Sequence, residues 1–85
     1  MSVQAELEAR LVAALAPTEL AIRDDSAAHH GHAGAAAGGH FAVRIVAAAF
    51  NGTRTLERHR LVYAAAGDLM QNGIHALSID AHPAG

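Results

Sequence analysis

With 85 residues, 52% of them hydrophobic, the chain is long enough for one modest core and too short for two domains. The absence of cysteine excludes disulfides, thiolate metal sites and a cysteine nucleophile, so any metal chemistry falls to other side chains. Six arginines without a lysine face eight acidic residues, a formal charge of -2 that argues against a general nucleic-acid binder, and seven histidines are the one compositional outlier with chemical meaning.

Val3, Leu7, Leu11 and Ala14 or Leu15 recur at helical spacing opposite Glu6, Glu8 and Arg10, which predicts an amphipathic helix over 3–15, stopped by Pro17. Leu20 and Ile22 alternate with Ala21 and Arg23, the pattern of a half-buried strand that ends near Asp24, Asp25 and Ser26. Residues 27–39, rich in Gly, Ala and His without periodicity, read as a flexible loop. A second strand is expected from about His40 to Ala47, with Phe41, Val43 and Ile45 facing one way. After the turn residues Phe50, Asn51 and Gly52, Thr53 or Thr55 is expected to cap a helix whose buried stripe is Leu56, Val62, Ala66 and Leu69, running to about Met70. Asn72 and Gly73 end it, Ile74 to Asp80 form a short third strand, and residues 81–85, His82 among them, form a loose tail.

No apolar run approaches the roughly 18 residues needed to cross a bilayer, and the N-terminal residues mix charge with apolar side chains, so a cytoplasmic protein without a membrane partner is expected. The alanine- and arginine-biased composition suggests a bacterial source. The order α-β-β-α-β predicts an α+β fold in one domain over 1–85. A right-handed crossover sets the third strand parallel to the second, with both helices on one face of a three-stranded mixed sheet. The starts of strands two and three then share an end of the sheet with the hairpin loop, so His29, His30, His32, His40 and His75 can converge there. Strand alternation places His75 on the side of Leu77 and Ile79, at the lip of the sheet. His59 stands apart, about 18 Å from its helix's end at 1.5 Å per residue.

The run FNGTRTLERHRLVY (Phe50 to Tyr63) closely resembles a segment of the BolA family with the pattern F-x-G-x(5)-R-H-R-x-V-Y, and GIHALSIDAHP (Gly73 to Pro83) resembles the family's ending. Asp24-Asp25-Ser26 and His40 to Val46 are similar to its intervening strands, so the resemblance covers nearly the whole chain in the right order. It implies a fold like the type II KH domain and a partnership with monothiol glutaredoxins, through a shared [2Fe-2S] cluster or an apo contact, in iron-sulfur trafficking or iron regulation. The family's C-terminal histidine, here His75, is implied as a cluster ligand. A second is implied in the loop between the first two strands, where His29 follows the Asp-Asp-Ser run at the family's distance and His32 competes with it. A glutaredoxin cysteine and glutathione supply the thiolates. With no cysteine of its own, the isolated chain is expected to bind no stable cluster. A weak homodimer is left open.

Arg58, His59 and Arg60 also invite a nucleic-acid reading, since two arginines near a helix N-terminus can reach phosphates and family members have been discussed as DNA-binding transcriptional regulators. The plainer readings are that Arg58 and Arg60 pair with neighbours such as Glu57, with His59 beside the core stripe, or that they face a partner protein. The loop histidines could equally hold adventitious nickel or zinc. Gly31-His32-Ala33-Gly34 spells the GxxG of KH domains, but it links two strands rather than two helices and reads as chance. No nucleophile with its base, and no carboxylate pair, emerges, so no enzyme activity is expected.

Overall fold

The computed structural model describes residues 2–26 and 39–85. The first helix, α1 (Val3–Leu15), is capped by Ser2, whose hydroxyl accepts the Ala5 N–H at 3.1 Å. It stops at Ala16, which adopts φ 45° and donates its N–H to the Val12 carbonyl, with Pro17 following. Then come β1 (Glu19–Asp24), β2 (Gly39–Ala47), a short 3-10 turn at Ala48–Phe50, α2 (Thr55–Ala66), a second 3-10 turn at Gly67–Met70, and β3 (Ile74–Pro83).

Among the described residues the strands form one sheet in the order β1-β2-β3, with β1 antiparallel and β3 parallel to β2. The crossover through α2 requires that parallel pairing. Leu7, Leu11 and Leu15 of α1 and Val62 and Ala66 of α2 meet Phe41, Val43, Ile45 and Phe50 in one buried cluster. Both helices therefore cover one face of the sheet, as the crossover predicts. The architecture is the expected α+β, α-β-β-α-β arrangement.

Several expectations need correction. Neither threonine caps α2: Arg54 holds the N-cap position without a side-chain bond, while the Thr53 hydroxyl turns back to the Phe50 carbonyl at 2.6 Å. Leu56 is 60% exposed rather than part of the buried stripe. Six residues before Val62, it lies about 120° around the helix from it. Helix α2 ends at Ala66, because Gly67 takes φ 57° and the chain tightens into 3-10 geometry. Gly39 belongs to β2 rather than to the loop.

Residues 81–83 extend β3, pairing with Ile45, Val46 and Ala47. Beyond them the Ala84 N–H reaches the Ala47 carbonyl at 3.2 Å, and the Ala84 and Gly85 N–H groups share the Asn51 side-chain oxygen. Composition suggested a tail, but the long central strand supplies acceptors that composition does not reveal. Pro83 is tolerated because β3 is an edge strand. His82 is consequently strand-bound, its Nε2 2.6 Å from Oδ1 of Asp80.

Candidate metal-binding edge

Parallel pairing aligns the starts of β2 and β3, and their junction is irregular. Gly39 is opposite Ile74 but His40 is opposite Ala76, so β3 carries one extra residue, His75, at a bulge. The bulge corrects the strand-parity expectation. Ile74 fills the core position at 4% exposure, while Leu77, Ile79 and Ala81 resume packing on the same cluster. His75 is left exposed at the rim.

Two glycines make the junction. Gly73 has φ 130°, a region that side chains avoid, and a Cβ there would lie 2.8 Å from Cγ2 of Val3. The Gly39 N–H donates to the Gly73 carbonyl at 2.9 Å, tying the two strand starts together.

The bulge sets the rings of His40 and His75 side by side, with centroids 5.1 Å apart and planes tilted by 49°. The backbone of His40 is fixed from the other side. Its carbonyl accepts the Asp25 N–H at 2.7 Å and its N–H donates to the Ser26 hydroxyl oxygen at 3.0 Å. Asp24 in turn accepts the Ser26 N–H at 2.9 Å, and bonds from the Ser26 hydroxyl and N–H hold its carboxyl below its ordinary pKa. The Asp24-Asp25-Ser26 run thus anchors β2 exactly one residue before Phe41, at His40.

Two imidazoles bound to one tetrahedral ion, with metal–nitrogen bonds of about 2.0–2.1 Å, have ring centroids about 5 Å apart. The His40–His75 centroids fall at that distance, and the exposed His75 ring leaves room for a partner's ligands. No group of three or more His, Cys, Asp or Glu residues suited to a metal exists among the described residues, so this edge offers an incomplete donor set. His29, His30 and His32 lie outside the described residues. Sequence alone gives His40 no leading role, although its place at the start of β2 is a usable signal.

The structure separates the other predicted residues from this edge. Arg58 spends its donors inside the chain: Nε to the Thr53 hydroxyl at 3.1 Å, Nη2 to the Thr53 carbonyl at 2.9 Å and Nη1 to the Ala81 carbonyl at 3.2 Å. It straps the turn before α2 to the far end of β3 rather than pairing with Glu57. His59 is half-buried and Arg60 is exposed. On the sheet face away from the helices, a depression of about 440 Å³ has Ala21, Ala42, Ser78 and Asp80 among its lining. The arginines bordering it are engaged, Arg23 with Asp25 and Arg44 with Glu19. No helix among the described residues is long and apolar enough to cross a membrane.

A family model described as BolA-like protein matches residues 11–84. The chain is similar to mouse BolA-like protein 1, with 39% identity over 79 residues covering 93% of this chain and 56% of the mouse protein. It therefore spans little more than half the length of that relative. The Escherichia coli (strain K12) protein named DNA-binding transcriptional regulator BolA is 34% identical over 79 residues, covering 93% of this chain and 73% of that one. Among solved structures, BolA1 from Arabidopsis thaliana superimposes with a TM-score of 0.83 at 34% identity, covering 98% of this chain and 93% of that chain.

Proposed function

This chain belongs to the BolA-like protein family, and on that premise we propose that it is a non-enzymatic cytoplasmic binding protein that docks on a monothiol glutaredoxin and completes a bridged [2Fe-2S] cluster, in iron-sulfur trafficking or iron regulation. The observation that carries the reading is the exposed His75 ring, presented beside His40 at a sheet edge whose backbone is fixed on both sides. In this proposal His75 is one ligand and His29 or His32 the second, while a glutaredoxin cysteine and glutathione supply the thiolates that the chain lacks. Neutral imidazoles in place of thiolates make the cluster less negatively charged and raise its potential. They also link its binding to protons near neutral pH.

Anaerobic reconstitution of a mixture with a monothiol glutaredoxin tests the proposal. The mixture is expected to develop a mixed His/Cys cluster spectrum distinct from that of the glutaredoxin alone, while the isolated chain holds no stable cluster. An unchanged mixed-complex spectrum with His75→Ala defeats the ligand assignment.

A second reading, DNA binding through Arg58, His59 and Arg60, is favoured by the name of the E. coli relative. In this chain Arg58 is engaged by the Thr53 and Ala81 carbonyls, which leaves Arg60 as the exposed one of the two arginines. That reading calls for a salt-sensitive electrophoretic shift that disappears in Arg60→Ala.

A further inference from the structure

The outer face of α2 concentrates two properties that the rest of the described surface keeps apart. The first is unneutralised positive charge. Arg10 bonds Glu6, Asp68 and the Ala66 carbonyl; Arg23 pairs with Asp25, Arg44 with Glu19, and Arg58 is tied to Thr53 and Ala81. Arg54 and Arg60 are the two arginines with no such partner among the described residues, and both are exposed. Arg54 is the N-cap of α2 and Arg60 lies in its middle.

The second property is exposed apolar surface. Among the described residues the large exposed hydrophobics are Val12, Leu56, Leu61 and Tyr63, and all but Val12 belong to α2. Leu56, Arg60 and Tyr63 follow the i, i+4, i+7 spacing that places side chains on one stripe of a helix, about 100° around it from the buried Val62 and Ala66 side. The N-terminus of α2 has no side-chain cap, so its partial positive charge adds to that of Arg54.

We infer that this stripe is a docking surface for an acidic segment of another protein, one that sets carboxylates on Arg54 and Arg60 and apolar side chains on Leu56 and Tyr63. Charge complementarity selects the occupant. In a chain of net charge -2, positive charge is left unpaired only at this helix among the described residues. Nucleic acid fits less well, because the exposed Leu56 and Tyr63 offer nothing to a phosphate backbone. The surface is distinct from the histidine edge: α2 starts beyond the end of β2, and Arg58 fastens its first turn to Ala81, whereas His40 and His75 stand at the opposite ends of those strands. A protein seated on this stripe uses none of the side chains of that edge.

The test is NMR titration of the full chain with two labelled amphipathic helical peptides, alike except that one carries glutamates flanking a leucine stripe and the other lysines, and with a 20-base-pair duplex. The glutamate peptide is expected to shift the amides of residues 54–63 and to leave those of His40 and His75 unmoved. Arg60→Glu should weaken that binding at least tenfold and give the lysine peptide an advantage, while Leu56→Ser should weaken both peptides. Circular dichroism should show both variants folded, since the two side chains are exposed. Equal binding of the two peptides, shifts centred elsewhere, no binding at all, or tighter binding of the duplex overturns the inference.

Discussion

Asp68 shows how a single exposed contact becomes a pH dependence. The guanidinium of Arg10 lies 2.5 Å from its carboxylate and also donates to the Ala66 carbonyl, joining α1 to the end of α2. The Arg10 hydrogen bond, reinforced by its charge, lowers the Asp68 pKa below its ordinary value of 3.8. A lowered folded pKa contributes stability that is complete above the unfolded value and is lost as the pH falls through the folded one. Urea midpoints should therefore fall on acidification below about pH 4, and Asp68→Asn should make that acid limb shallower while changing little between pH 6 and 8. A limb unchanged by the substitution rejects the assignment. Gly73 is a sharper case, because φ 130° and the nearby Val3 leave no room for a methyl group. Gly73→Ala should cost about 2–3 kcal/mol in chemical denaturation, a sum of backbone strain and displaced packing.

At the scale of elements, the family's Arg-His-Arg run divides into parts with different work. Arg58 bonds the turn before α2 and the edge of β3, so Arg58→Ala should lower stability by about 2 kcal/mol, as expected for charged hydrogen bonds lost from a half-buried site. Arg58→Lys should recover only part, because an ammonium cannot reproduce the fork. Arg60→Ala, at an exposed position, should stay within about 0.5 kcal/mol. Urea titrations of the three variants check the order, and a costly Arg60→Ala with a neutral Arg58→Ala contradicts it. The same contacts show what periodicity could convey. The helices, strand order and parallel crossover follow from side-chain spacing and handedness. Leu56 was misplaced because a helix stripe read from few hydrophobes has uncertain phase. Two features were illegible because they depend on another strand: the extension of β3 to Pro83, which draws on acceptors of β2, and the bulge at His75, which breaks strand alternation.

Across the whole molecule, the sheet's two edges are both guarded by side chains from the helical layer. Gln4 of α1 donates to the Ile22 carbonyl of β1 at 3.1 Å, and Arg58 of α2 to the Ala81 carbonyl of β3. Such donors occupy carbonyls that an added strand would use. Gln4→Ala together with Arg58→Ala should therefore raise light scattering on mild heating beyond the sum of the single variants, whereas additive or unchanged scattering would show that the edges need no guard. The histidine edge and the outer stripe of α2 lie outside these guarded carbonyls.

The bulge has one more consequence, for how variation can accumulate at this edge. By handing the core position to Ile74, it relieves residue 75 of any duty in packing, so what stands there is free to be selected for chemistry alone. His75→Ala should then change the melting temperature by no more than a degree or two, as for other exposed substitutions. Ile74→Ala should cost about 2–5 kcal/mol in the same assay. Adjacent positions in one strand thus answer to separate pressures, and a lineage could lose or exchange the histidine while keeping a fully folded domain.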